Sequence, residues 1–368
     1  MHRENRGVSR RAFLQSAVAI GGASALAACM DREDVSVPAG VEDPGSLPSR
    51  QHAWNEYLDR DDAGNALPPR HHALLHLEYD GLPTDADRET VTSALRTLER
   101  AYEWSSDGLL FTVGYSPAYF ERFDADLSDG VDLPEPRPLS DFEDPVLDDP
   151  DAIVHLASDH ASVVLEAEEA LRGNRDTAND VTVDDALADV LSVAERRTGF
   201  VGEGLPADNQ DTGGVPDSEP VPEDAPLYMG FKSDFEKSQA SEDRVTIRSG
   251  PFADGTTQHV SHIDLNLQQW YEQDDRDSRV AQMFCPAHAD SGAVEGTGEN
   301  LGDSPQLEDC GDPAETASER GVVGHAQKLE GTREDGEPLL LRRDFDSTDG
   351  GNAGVHFLAL QQEISDFE

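Results

Sequence analysis

The run His72-Ala-Leu-Leu-His-Leu-Glu-Tyr79, a turn at Pro83 and the run Thr84-Asp-Ala-Asp87 behind it set the fold. The first run is strand-like, and the second has the form of a capping box. Val91, Leu95, Leu98 and Tyr102 then recur at helical spacing. Gly108–Tyr115 reads as a second strand, ended by Ser116-Pro117, and Ala152-Ile-Val-His-Leu156 as a third. Ser158 is placed to cap a helix carrying Val164, Ala167 and Leu171, which stops at Gly173. Residues 188–201 supply a fourth strand. Strand-helix-strand followed by strand-helix-strand is the split pattern of a ferredoxin-like domain.

Beyond a Gly/Pro/Asp-rich stretch at 202–226 the same plan recurs less regularly. Thr256–Leu265 is strand-like, and Asn266–Phe284, with Leu267, Trp270 and Tyr271 on one side, reads as a helix. Residues 286–320 read as mostly loop, and Pro338–Phe345 and Val355–Gln361 as two more strands. The expected fold class is α+β, with tandem ferredoxin-like domains of the dimeric α+β barrel type. The expected divisions are a signal peptide at 1–28, an acidic tether at 29–70, an N-terminal domain at 71–205 and a C-terminal domain at 206–368.

Composition bounds the partners. In 368 residues Asp and Glu outnumber Lys and Arg 76 to 28, for a net charge of −48. No basic face is available to neutralise phosphates, so nucleic acid is excluded as a partner, and docking on anionic headgroups is disfavoured. Such acidity usually marks disorder, yet periodic apolar segments recur. A halophilic, folded protein adapted to high salt, where screening shortens self-repulsion, fits both facts.

Ser9-Arg10-Arg11-Ala12-Phe13-Leu14 resembles a twin-arginine (Tat) export signal. The apolar run Ala17–Ala28 behind it is too short to span a bilayer. Leu26-Ala-Ala-Cys29 resembles a lipobox, which makes Cys29 the lipidation site of an extracytoplasmic lipoprotein held at the outer face of the membrane. In an oxidising compartment Cys285 and Cys310 are expected to form a disulfide, stabilising by roughly 3 kcal/mol. A metal site at Cys285 and His288 is the competing reading. His71, His72 and His76 read as rim residues of the first strand, since neighbours on a strand face opposite ways.

Phosphate-cradling glycine loops and nucleophile elbows are missing from the sequence. The informative stretch is His325-Ala-Gln-Lys, then Leu339-Leu-Leu-Arg342-Arg343-Asp-Phe, then Gly354-Val-His-Phe-Leu-Ala-Leu-Gln361. It resembles the C-terminal core of dye-decolorising (DyP-type) heme peroxidases. Val113-Gly-Tyr-Ser-Pro117 with Phe120, Met229-Gly-Phe-Lys232, and Gly255-Thr-Thr-Gln-His259 through Trp270 follow the family's order. The chain thus resembles a divergent haloarchaeal, twin-arginine-exported member.

The resemblance implies an oxidoreductase carrying heme b, which reduces hydrogen peroxide and oxidises a small reductant. It makes His325 the iron ligand and Arg342 the group that steadies charge as the O–O bond breaks. Arg343 is the alternative to Arg342, or a propionate partner. The family's Gly-Phe-x-Asp-Gly motif is altered here to Gly230-Phe-Lys-Ser-Asp-Phe235. Ser233 stands in the catalytic aspartate's place and Asp234 one residue later. The family's Gly-Arg-containing helix end is replaced by Met283-Phe-Cys-Pro-Ala-His288, and the family runs on for a further helix and strand. Two other readings remain: a surface lipoprotein of the same barrel that binds heme or another ligand without turnover, and a structural envelope protein.

Overall fold

The computed structural model describes residues 36–123, 127–128, 130–131 and 133–368. The twin-arginine motif and Cys29 lie outside them. Among the described residues no helix is long and apolar enough to cross a membrane.

The first half follows the split plan. Strand β1 (His71–Tyr79) leads to helix α1 (Asp85–Ala101), where Thr84 and Asp87 close the capping box. Strands β2 (Leu110–Tyr115) and β3 (Ala152–Ser158) follow, then helix α2 (Ala161–Leu171) and strand β4 (Leu191–Phe200). Ser158 does not cap α2: His160 holds that position without a side-chain bond, and the Ser158 hydroxyl accepts from the His160 N–H at 3.1 Å.

The second half supplies β5 (Thr257–Asp264), α3 (Arg276–Met283), α4 (Pro286–Ser291), α5 (Pro313–Arg320) and α6 (His325–Glu330). Strands β6 (Leu341–Arg342), β7 (Phe345–Ser347) and β8 (Gly354–Gln361) end it. The single helix expected over 266–284 is two pieces. A π-helical turn at Gln269–Gln273 stops at Asp274, and Asp275 restarts the chain by accepting from Ser278 N–H. Residues 286–320, expected as loop, hold α4 and α5, each opened by a proline at its first position.

These eight strands form one antiparallel sheet in the order β2-β3-β1-β4-β7-β8-β5, with β6 also on β8, and Thr177–Ala178 pairs with Val181–Thr182 in a separate short ribbon. The fold class is α+β, with the β2-β3-β1-β4 half in ferredoxin-like order. The two halves join where β4 meets β7, with Gly199 opposite Ser347 and Phe200 opposite Asp346. A Cβ at Gly199 would stand 2.0 Å from the Asp346 carbonyl oxygen, so only glycine lets the strands approach this closely. The sheet curls until Gly114 of β2 faces Gln258 of β5.

Burial follows the pleat. Ala73, Leu75 and Leu77 pack under α1 and α2, while Leu74 turns to the inner face with Phe345 and Leu358. His71, His72 and His76 are buried, not rim residues. Strands β3 and β4 pair with both edges of β1, helices and the inside of the curled sheet cover its faces, and His72 is satisfied inside, with Nδ1 2.9 Å from His155 Nε2 and Nε2 2.7 Å from the Pro69 carbonyl.

The part of the expected tether that is described, residues 36–70, is not a free linker. Trp54 and Leu58 are core residues. Asn55 N–H donates to Glu242 at 2.7 Å, His52 meets Thr246 at 2.8 Å, and Arg50 pairs with Asp243. Proline and glycine content suggested a linker, but Trp54 and Leu58 pack into the core of the first half, while the polar contacts of residues 50–55 reach the second.

Candidate functional site

Arg342 is fixed from three directions. It pairs with Ala359 on β8, and its backbone N–H donates to Gln239 Oε1 at 2.9 Å. Its Nη2 donates to the Ser233 carbonyl at 3.1 Å, and Nη1 lies 3.8 Å from Asp344 Oδ2. The Arg342 and Asp344 side chains are each 10% exposed. Asp344 Oδ1 accepts the Leu358 N–H at 3.0 Å, and Gln239 Nε2 donates to Asp234 Oδ1 at 3.3 Å.

Asp234, Asp344, Gln239, Arg342, Arg343 and Asn55 line one cavity of about 30 Å³, room for a molecule the size of water or peroxide. Gln239 also lines an open cleft of about 510 Å³ whose walls include Lys237, Glu308, Glu330 and Arg333. The cleft and the cavity therefore meet at one amide side chain.

Two carboxyl groups here hold their protons unusually well. Desolvation raises Asp234, opposed by the nearby charges of Arg342, Arg343 and Lys232. Desolvation, with the Asp234 charge adding to it, pushes Asp344 up to about 7, against the pull of Arg342. Asp344, beside the Arg342 guanidinium, can hold and pass a proton near neutral pH, and Asp234 next to it binds its proton more firmly than an ordinary carboxyl group.

The expected site residues thus divide. Arg342 and Asp234 come together on the cavity. Ser233 contributes its backbone carbonyl to Arg342. Arg343, the alternative to Arg342, lines the same cavity, while its Nη2 donates to Asn55 at 3.0 Å and lies 3.8 Å from Glu242, and the guanidinium sits over Trp54. Gln239 and Asp344 were missed. Asp344 had a signal, since residues two apart on an extended chain share a face and Arg342 was already singled out; Gln239 had none.

His325 opens α6, and its position is set from below. A Cβ on Gly324 would stand 1.7 Å from the Phe284 carbonyl oxygen, so this residue must be glycine for the helix to dock. Gln327 donates to the carbonyls of Cys310 and Gly311 at 2.7 and 3.0 Å. Cys285 and Cys310 are joined as a disulfide beneath it. His325 is an exposed residue overall, and neither of its ring nitrogens has a hydrogen-bond partner among the described residues. Desolvation by the surrounding protein, then the charge of Arg342, pushes its pKa down to about 4.

A family model described as a family of unknown function (DUF7405) matches residues 69–368. The chain belongs to that family. No curated protein matches it. Among solved structures this DUF7405 chain is similar to a dye-decolorizing protein from V. cholerae, at 11% identity and TM-score 0.46, covering 85% of each chain. It is similar to a DypB variant from Rhodococcus jostii in complex with heme, at 15% identity and TM-score 0.49, covering 82% of this chain and 83% of that one. It is also similar to the encapsulated DyP-type peroxidase from Mycobacterium smegmatis, at 13% identity and TM-score 0.49, over 84% and 85%.

His325 offers imidazole nitrogens that no described residue engages, a donor of the type that ligates heme iron, although it lines neither the cavity nor the cleft.

Proposed function

We propose that the chain is a heme-dependent peroxidase of the DyP type, reducing hydrogen peroxide at the expense of a small reductant. The observation that carries this reading is the meeting of Asp234, Asp344 and Arg342 on one peroxide-sized cavity, with His325 within electrostatic reach of Arg342. His325 would hold heme b, which when bound supplies the two electrons that cleave the O–O bond.

The chain's own residues manage protons and charge. Gln239 holds Asp234 by Oδ1, which leaves Oδ2 without a hydrogen-bond partner among the described residues and free to take a proton from one peroxide oxygen and return it to the other. Arg342, held by Ser233 and Asp344, offsets the negative charge that develops as the bond breaks. Asp344 supplies a second proton store beside it. The reading of a barrel that binds without turnover rested on Ser233, and a carboxyl group one residue later on the cavity argues against it.

We further propose twin-arginine export and a lipid anchor at Cys29, on the strength of Arg10-Arg11 and Leu26–Cys29. Substituting both arginines by lysine should trap precursor inside the cell. The activity is tested by peroxide-dependent oxidation of a dye by heme-loaded protein in multimolar salt. Steady turnover supports the proposal; heme loading with no turnover returns the binding-protein reading.

A further inference from the structure

His288 stands beside the disulfide and is 5% exposed. Its Nε2 lies 2.8 Å from the Gln306 carbonyl oxygen, so Nε2 carries the proton and, in the neutral ring, Nδ1 carries the lone pair. Nδ1 is buried and has no hydrogen-bond partner among the described residues. A ring nitrogen of His288 and the two sulfurs of Cys285 and Cys310 all lie within 4.8 Å of one another. Nε2 is taken by the carbonyl, so Nδ1 is the nitrogen with a lone pair to offer.

We propose that, with the disulfide reduced, Cys285, Cys310 and His288 bind one divalent cation of the zinc class. Two thiolates and one imidazole form a borderline-soft donor set suited to tetrahedral zinc, with water in the fourth position. The Gln306 carbonyl is the outer partner that fixes the tautomer and orients the ring, as such partners do for metal-bound histidine.

The exchange balances. A dithiol gives two electrons and two protons to the disulfide and becomes a disulfide itself. The cation then displaces the two thiol protons to solvent. The site needs no heme and stands apart from the peroxidase reading. Its consequence is structural. Gly324 packs on the Phe284–Cys285 backbone, and Gln327 holds the Cys310 carbonyl. A cation bridging the same two cysteines would hold α6 in place where the disulfide is absent.

The full chain is reduced with a dithiol, freed of it by gel filtration under argon, and titrated with cobalt(II) in molar potassium chloride to screen the surface carboxylates. One equivalent should bind with a thiolate-to-cobalt charge-transfer band, and zinc should displace it. The oxidised chain should show no such band. His288→Ala, purified with its disulfide intact and then reduced, should bind at least tenfold more weakly and with altered visible bands. Absence of the band in reduced wild-type protein would overturn the proposal. So would a His288→Ala chain that keeps the wild-type affinity and spectrum, because the cysteines would then be capturing the metal without the imidazole.

Discussion

Arg342 Nη2 donates to the carbonyl oxygen of Ser233 at 3.1 Å, which ties strand β6 to the loop that presents Asp234. On the proposed reading, Asp234 on that loop supplies the acid. Asp234→Asn should lower peroxide turnover by about 10²-fold, the scale of one general acid–base group. Ser233→Ala should leave it within a few-fold. Arg342→Ala should lower it by about 10²–10³-fold. Steady-state rates on heme-loaded protein check all three, and equal losses at 233 and 234 would contradict the assignment.

Asp344 makes stability pH-dependent in a defined direction. Its folded pKa of about 7 lies above the ordinary 3.8, so the folded state binds the extra proton between those values. Stability contributed by this group is present below about pH 4 and is lost as pH rises toward 7. Asp344→Asn should flatten that part of the profile and leave the protein relatively more stable above pH 7. Denaturant midpoints across pH 4–8 at fixed salt measure this. A slope unchanged by the substitution would show that Asp344 is not the titrating group.

Gly324→Ala should destabilise by roughly 3 kcal/mol, because the new methyl group meets backbone that cannot yield as a side chain would. The damage should centre on α6. Hydrogen exchange should quicken over residues 324–330 more than in β1, where the core is undisturbed. Uniform acceleration across both segments would argue against a local docking role.

Reduction of the Cys285–Cys310 bridge in metal-free protein should lower stability by roughly 3 kcal/mol, as expected for a loop of this size. Thiol counting on unfolded, unreduced protein should find neither cysteine reactive. Two free thiols would remove the bridge from the account.

Much of the first half was legible because its signals are local. The Thr84–Asp87 box, the helical spacing of Val91 and Leu98 and the strand runs around them all act within one element, and each formed where it was read. The errors lie where tertiary contacts outweigh local composition. Trp54 joins the core from a segment rich in Pro, Gly and Asp, and His72 finds its partner in His155, 83 residues away. The helix over 266–284 failed because Asp274 and Asp275 favour a cap over continuation.

The candidate site shows the same division. Arg342 and Asp234 were named from motif order. Gln239, which joins them, was invisible, because a glutamine in a polar segment has no pattern of its own. Asp344 could have been reached by the period of a strand, although β6 itself ends at Arg342.

The central claim is that His325 holds a heme iron. The direct test is the absorption spectrum of the protein loaded with heme b at multimolar salt, compared with that of His325→Ala. Wild type should give an intense Soret band with one heme per chain. The variant should lose it while its far-ultraviolet circular dichroism stays the same, since an exposed residue whose ring has no hydrogen-bond partner among the described residues contributes little to the fold. A wild-type chain that takes up no heme, or a variant whose Soret band matches wild type, would contradict the account.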